Sequence, residues 1–283
     1  MKGSTLKSSR PFGVISQYGE LPLNLVTFFD ETAIFVNVDL DQECLTSRAS
    51  FVGQNPGERP NPGHSLGNFF EWIVTNYEAL PEKVAFVKSN IVPRHVSSTC
   101  ELENLLCKQN GLVMLWDYPT FNSSHFQDSR VFPNFYLERN NSWFFPPSTT
   151  RKFQDFDCFM DFIFVDWIRP KWVPFAPGAC YVVARELIEA VPKELFEFFL
   201  EISTYKFFPS ESYAVERAMW LVFNQCGTFQ GRFSTATWRS EVPSERFFPA
   251  PSSSLLFRAA EALEHAGCRL QQKITARQSI VDM

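Results

Sequence analysis

The chain has 283 residues, enough for one large core or a core with an appendage, and 45% of them are hydrophobic, with 31 Phe among them. A formal charge of −5 excludes the basic field that nonspecific nucleic-acid binding requires, so no nucleic-acid partner is expected. No apolar run of about 18 residues occurs, which excludes a spanning helix by length. The basic start MKGSTLKSSRPFG lacks a following apolar stretch, so no secretory signal is read there. The seven Cys, irregularly spaced, read as free thiols. Together these give a cytoplasmic expectation.

The first predicted element is a strand over FGVIS, Phe12 to Ser16, released at Gln17, Tyr18 and Gly19. Residues Leu21 to Phe29 suit a short helix, and AIFVNV, Ala33 to Val38, suits a second strand that runs directly into Asp39-Leu40-Asp41. Asp39 and Asp41 have three readings: a solvated turn, a ribose or base contact from Asp39, or oxygen ligands for a divalent cation.

The stretch from Asn61 to His95 organises the chain. A Pro/Gly-rich loop leads to a helix start at His64-Ser65, with Ser65 as the expected N-cap. Leu66, Phe69, Phe70, Ile73, Val74 and Tyr77 then recur at the spacing of one helical face. Asn76 and Pro81 close that helix, and the buried strand VAFVK follows. It ends in the polar cluster Lys88, Ser89, Asn90, Arg94 and His95. Ligands of open α/β sheets sit beyond the carboxyl ends of strands, so this cluster and the loop at Gly63 to Ser65 are candidate site walls.

Glu101 to Gln109 is a predicted helix and Leu112 to Trp116 a strand. From Asp117 to Phe156 the chain is rich in Pro, Asn, Ser and Phe without a clear period, and suits either packing or acceptor-binding loops. Trp143, after Asn140-Asn141-Ser142, is the ring there least suited to a core. Period alone leaves Cys158 to Ile168 either helical or extended. Gly178-Ala179 then leads to a strand over Cys180 to Val183, and Glu186 to Ala190 makes a helical turn. Pro192 suits the first turn of a helix whose apolar face is Leu195, Phe198, Phe199 and Ile202. Ser210 or Ser212 caps the next helix, which carries Glu211, Glu216, Arg217 and Trp220. The expected organisation is a domain over 1–226, a linker over 227–254 and an amphipathic helix over 255–283. Near-heptad Leu256, Ala259, Leu263, Ala266 and Leu270 suit that helix to docking in cis or across a homodimer.

Two segments, Asn61 to Lys88 and Gly178 to Phe223, resemble an uncharacterised family whose sequences suggest a GT-A-type nucleotide-sugar glycosyltransferase fold. The first carries a polar pair, an aromatic-rich helix, Asn-Tyr, Leu-Pro and a strand; the second carries a small-residue turn, Tyr-Val-Val-Ala-Arg and a helix with Glu-Arg. The resemblance implies an α/β fold, a GT-A-like (Rossmann-type) central mixed sheet flanked by helices, here with a C-terminal helical extension. It also implies a nucleotide-sugar donor and a glycan or other hydroxyl acceptor. Gln17, Tyr18, Asn37 and Asp39 would face the nucleotide. His64, Ser65, Ser89, Asn90, Arg94 and His95 would lie near the diphosphate. Gly178, Ala179 and Trp220 would stand on the acceptor side, and Glu211 or Glu216 would be the general base, with Glu71 third. The acidic motif that holds a divalent cation in such enzymes would follow VAFVK; this chain has Lys88-Ser89-Asn90 there, which leaves Asp39 and Asp41 as the cation candidates and a metal-independent reaction as the alternative. A non-catalytic glycan- or partner-binding protein on a degenerate transferase fold is the second expectation. The third is a hydrolase with Asp39, Asp41, His64 and His95 around a metal. No Gly-x-Ser-x-Gly, Walker loop or His-Glu-x-x-His is present.

Overall fold

The computed structural model describes residues 10–17, 25–36, 49–52, 64–117, 129–132, 135–141, 150–206 and 209–248. Tyr18, Asn37, Asp39, Asp41, Trp143 and the 255–283 segment expected to dock or dimerise lie outside the described residues.

The main sheet has six strands: β1 (Phe12–Gln17), β2 (Thr32–Val36), β3 (Ala49–Val52), β4 (Lys83–Lys88), β5 (Leu112–Met114) and, later in the chain, Tyr181–Ala184. Their order is β3-β2-β1-β4, then Tyr181–Ala184, then β5. The first four are parallel, and Tyr181–Ala184 runs antiparallel to both β4 and β5. The sheet is mixed and helices cover both of its faces, as the α/β expectation required.

Strand alternation explains the layering. Val14, Ala33, Phe35, Val84 and Phe86 pack on one face; Ile15, Ile34, Ala85 and Val87 pack on the other. Both sets are buried, which is why these strands read as continuous apolar runs. The first face is covered by α1 (His64–Asn76), which brings Leu66, Phe69, Phe70 and Ile73. The second is covered by α3 (Thr99–Leu106), which follows a helical turn, α2 (Ile91–Arg94), and brings Leu102, Leu105 and Leu106. Ser98 caps α3, its hydroxyl accepting from the Glu101 N–H at 3.1 Å.

A second sheet forms from β6 (Ser129–Phe132), β7 (Phe135–Arg139) and β9 (Trp172–Pro174). Its strands β6 and β7 fall within the stretch from Asp117 to Phe156 that shows no clear period in sequence, and β9 lies beyond it. Tyr136 on β7 meets Trp116 edge-on at 5.5 Å and Phe175 at 5.0 Å, which ties this sheet to the main core. Before β9 comes β8 (Thr150–Arg151) and then α4 (Phe156–Ile163), so the ambiguous run from Cys158 to Ile168 is helical up to Ile163, after which Phe164 is extended and bridges Phe229. Asp155 caps α4 by accepting from the Cys158 N–H at 2.8 Å. Tyr181–Ala184 is β10. After it come α5 (Arg185–Glu189), α6 (Lys193–Thr204) and α7 (Glu211–Phe223). Leu195, Phe198, Phe199 and Ile202 of α6 are buried together with Phe70 and Phe159.

Four local expectations are corrected. Ser65 lies inside the first turn of α1, not at its N-cap, because the helix begins at His64. Pro192 is the N-cap of α6, and Ser210 stands at the N-cap of α7 without a side-chain capping bond. The described part of the expected linker, residues 227–248, packs instead: Phe233 and Trp238 are fully buried against Phe162 and Phe198, and β11 (Arg246–Phe247) pairs with β8. Among the described residues the five cysteines are free, and no helix is long and apolar enough to cross a membrane.

Candidate active site

The sheet's topology picks out one edge. From β1 the chain moves outward through β2 to β3, then returns through α1 to place β4 on the other side of β1. The strand order therefore reverses between β1 and β4, and the crevice at their carboxyl ends is where an open α/β sheet binds ligands. Those ends are Ser16-Gln17 and Lys88-Ser89. The Ser89 N–H donates to the Ser16 carbonyl at 3.0 Å, and Asn68 of α1 donates to the Ser16 hydroxyl at 2.8 Å.

Antiparallel pairing brings two further segments to the same edge. Tyr181 lies opposite Phe86 and opposite Met114, so the residues before β10 and those after β5 both run past Phe86 alongside Lys88. The first of these is the turn Ala176-Pro177-Gly178-Ala179. Its Ala179 N–H donates to the Ala176 carbonyl at 2.9 Å, and Gly178 has φ 79° and ψ 7°. Proline second and a left-handed glycine third is the type II pattern. The second segment ends at Asp117, whose N–H donates to the His95 carbonyl at 3.0 Å and whose carboxylate accepts from the Ser97 hydroxyl.

The sequence candidates distribute unevenly over this edge. Gln17, Ser89, His95, Gly178 and Ala179 come together there and are buried. Asn90 and Arg94 flank them and are exposed. His64 is the first residue of α1, and Ser65 is buried in that helix. Trp220, on α7 one turn beyond Glu216, is half-buried against the main core.

Glu211 is not placed for acceptor activation. Its side chain is fully buried and accepts from the Lys152 N–H and, at 3.0 Å, from the Tyr205 hydroxyl. Burial first and then Glu211 push the Tyr205 phenol upward, which keeps it a protonated donor. That is a structural role: the carboxylate ties the start of α7 to the segment after β8. Glu216 does reach the edge. It accepts from the Gly178 N–H at 2.5 Å and from Arg217 at 2.6 Å, with 17% of its side chain exposed. Arg217 itself is buried, makes two bonds to Glu138 at 3.0 and 2.9 Å, and lies 4.2 Å from the Phe175 ring. Burial opposes its charge, and Glu138 and Glu216 more than offset that, so the guanidinium is held charged.

Lys88 belongs to the polar cluster read from sequence as a candidate site wall. Asp117, Glu138 and Arg217 are not singled out there as site residues; Arg217 stands beside a candidate in the Glu-Arg pattern, and nothing in sequence marks Glu138.

His95 sits 5% exposed, its imidazole held well below the ordinary range by burial first, then by Lys88 and Arg94. The folded state therefore keeps it neutral. Its stability contribution is full above the unfolded imidazole pKa of about 6.5 and is lost as the pH falls below that value. Urea melts between pH 7 and pH 5 should show a steeper fall in midpoint for the wild type than for His95→Gln. Parallel slopes would assign the acid sensitivity elsewhere.

The residues after β4 do not fit a divalent cation. A hard cation takes several oxygen ligands, carboxylates above all, and this segment offers no carboxylate: beside the Ser89 hydroxyl and the Asn90 amide stand an ammonium, a buried imidazole and an exposed guanidinium. Among the described residues no group of three or more His, Cys, Asp or Glu has a metal-holding arrangement. No protein-family model, no curated protein and no solved structure matches the chain.

Proposed function

We propose that the chain is a transferase of GT-A type that binds a nucleotide-activated sugar at the carboxyl ends of β1 and β4 and passes the sugar to a glycan or other hydroxyl acceptor. One observation carries the reading: the reversal of strand order at β1 and β4 coincides with the edge where Gln17, Lys88, Ser89, His95 and the Gly178 turn converge. Gln17 and Ser16 line the β1 side, where a nucleoside would lie. The Gly178 turn, fixed by Glu216, borders the β4 side, where the sugar and acceptor would meet. Glu216 is partly exposed and bonded directly to that turn, and it takes the base role. Gly178 N–H bonds one of its oxygens and Arg217 the other, so the acceptor hydroxyl would have to donate to a remaining lone pair or displace one of them.

The engagement of Glu216 and the burial of Glu211 favour a second reading, a non-catalytic glycan- or partner-binding protein on the same fold. Nucleotide binding separates the two. A ligand present at about tenfold its Kd adds roughly 1.4 kcal/mol by mass action. For a chain of this size that is a rise of a few degrees in Tm. UDP, GDP, CDP and CMP at millimolar concentration should give such a rise for at least one nucleotide. A flat response to all of them would move the weight to the binding protein.

A further inference from the structure

Lys88 ends β4, half-buried, and among the described residues its ammonium has neither a hydrogen-bond nor an ion-pair partner. Its surroundings raise that cost. A Cβ built on Gly178 would meet the Lys88 Nζ at 3.1 Å and the His95 Nε2 at 2.7 Å, so ammonium and imidazole crowd one point against the turn backbone. Arg94, exposed one helical turn on, adds a second positive charge. A partly desolvated charge without a counter-ion is destabilising in the folded chain alone. It is repaid when an anion arrives. The position matters as much as the charge: this is the switch-point crevice, and the ammonium stands where the GT-A resemblance would put a cation-holding acidic pair.

We propose that Lys88 holds the diphosphate of the ligand directly, so that phosphate binding at this edge needs no divalent cation. A compact ammonium with three rotatable donors suits oxygens of changing direction. Glycine at 178 keeps clear the space the ammonium uses, since any Cβ would fill it. The identity of the ligand as a nucleoside diphosphate rests on the transferase reading; the anion site does not, because inorganic pyrophosphate carries the same chemistry.

The test is calorimetric titration of the full chain with inorganic pyrophosphate and, separately, with UDP and GDP, at low salt in EDTA. Wild type, Lys88→Met and Lys88→Arg are compared. The wild type should bind pyrophosphate in EDTA. Lys88→Met should lose about tenfold or more in affinity for pyrophosphate and for whichever nucleotide binds, while Lys88→Arg keeps most of it. The Tm of Lys88→Met should be unchanged or higher, because an uncompensated charge has gone; a merely structural lysine would lower it. Nucleotide binding unaffected by Lys88→Met would overturn this assignment and leave the transferase reading standing. Binding only after magnesium or manganese is added would overturn it equally. Failure of the wild type to bind pyrophosphate or any nucleotide would sink both.

Discussion

Replacing Arg217 by Met should cost the protein about 3–5 kcal/mol, the usual loss when one member of a buried ion pair is removed. Glu138 is 3% exposed and takes two guanidinium bonds, from Nε and Nη2. Met fills much of the volume over Phe175 but leaves a carboxylate in a dry place, and the other carboxylate, Glu216, loses its Arg217 bond at the same time. The double variant Arg217→Met with Glu138→Gln should recover part of the loss, since it strands no charge. Chemical denaturation of the two single variants and the double measures the coupling. A sum of single losses that equals the double would mean the pair is energetically independent despite its geometry. The network also links β7 through Arg217 and Glu216 to the Gly178 N–H. Loss of Arg217 should therefore loosen the turn and weaken ligand binding beyond what the drop in stability explains.

The parts of this fold that the sequence made legible are those where one physical signal dominated. Strands β1, β2 and β4 are buried on both faces, so they stood out as unbroken apolar runs. The helical period of α1 and α6 was visible because Leu66, Phe69, Phe70 and Ile73, and Leu195, Phe198, Phe199 and Ile202, all face the core. The hairpin of β6 and β7 was hidden for the opposite reason. Its inward residues include Glu138, so the alternation of FYLER does not look amphipathic until Arg217 is seen to neutralise it. Phe233 and Trp238 were hidden by their setting, short 3-10 turns in a polar, proline-punctuated stretch that resembles a linker. At the site, the Lys88–His95 cluster and the distant Gly178 turn were each legible as candidates, and the structure sets them side by side. The resemblance gave no means to separate Glu211 from Glu216. Both begin or follow the first turn of one helix, and only their depth distinguishes them: one is sealed between Lys152 and Tyr205, the other reaches the turn.

Gly178→Ala should cost about 2–5 kcal/mol, from two separate sources. A φ of 79° is left-handed, where an L side chain costs about 1–2 kcal/mol. The new Cβ would also press on the buried His95 imidazole at 2.7 Å, and overpacking of a filled site adds about 1–3 kcal/mol. The neighbouring Ala179 makes the control. It too is left-handed, at φ 57°, and fully buried. Ala179→Gly relieves backbone strain but forfeits a packed methyl and adds freedom to the unfolded chain, so its net effect should lie within about 1 kcal/mol of zero. Two single-carbon changes at adjacent positions thus diverge, and denaturant midpoints of the two variants read the difference. Function should diverge with them. In Gly178→Ala either His95 and Lys88 retreat or the turn lifts away from Glu216, and each displacement moves the ammonium proposed to hold phosphate. Pyrophosphate affinity should therefore fall in Gly178→Ala, measured at a temperature where the variant is folded, and hold in Ala179→Gly. Equal stability and equal affinity in the two would mean that the turn is soft, and that glycine at 178 serves neither the backbone nor the basic cluster beside it.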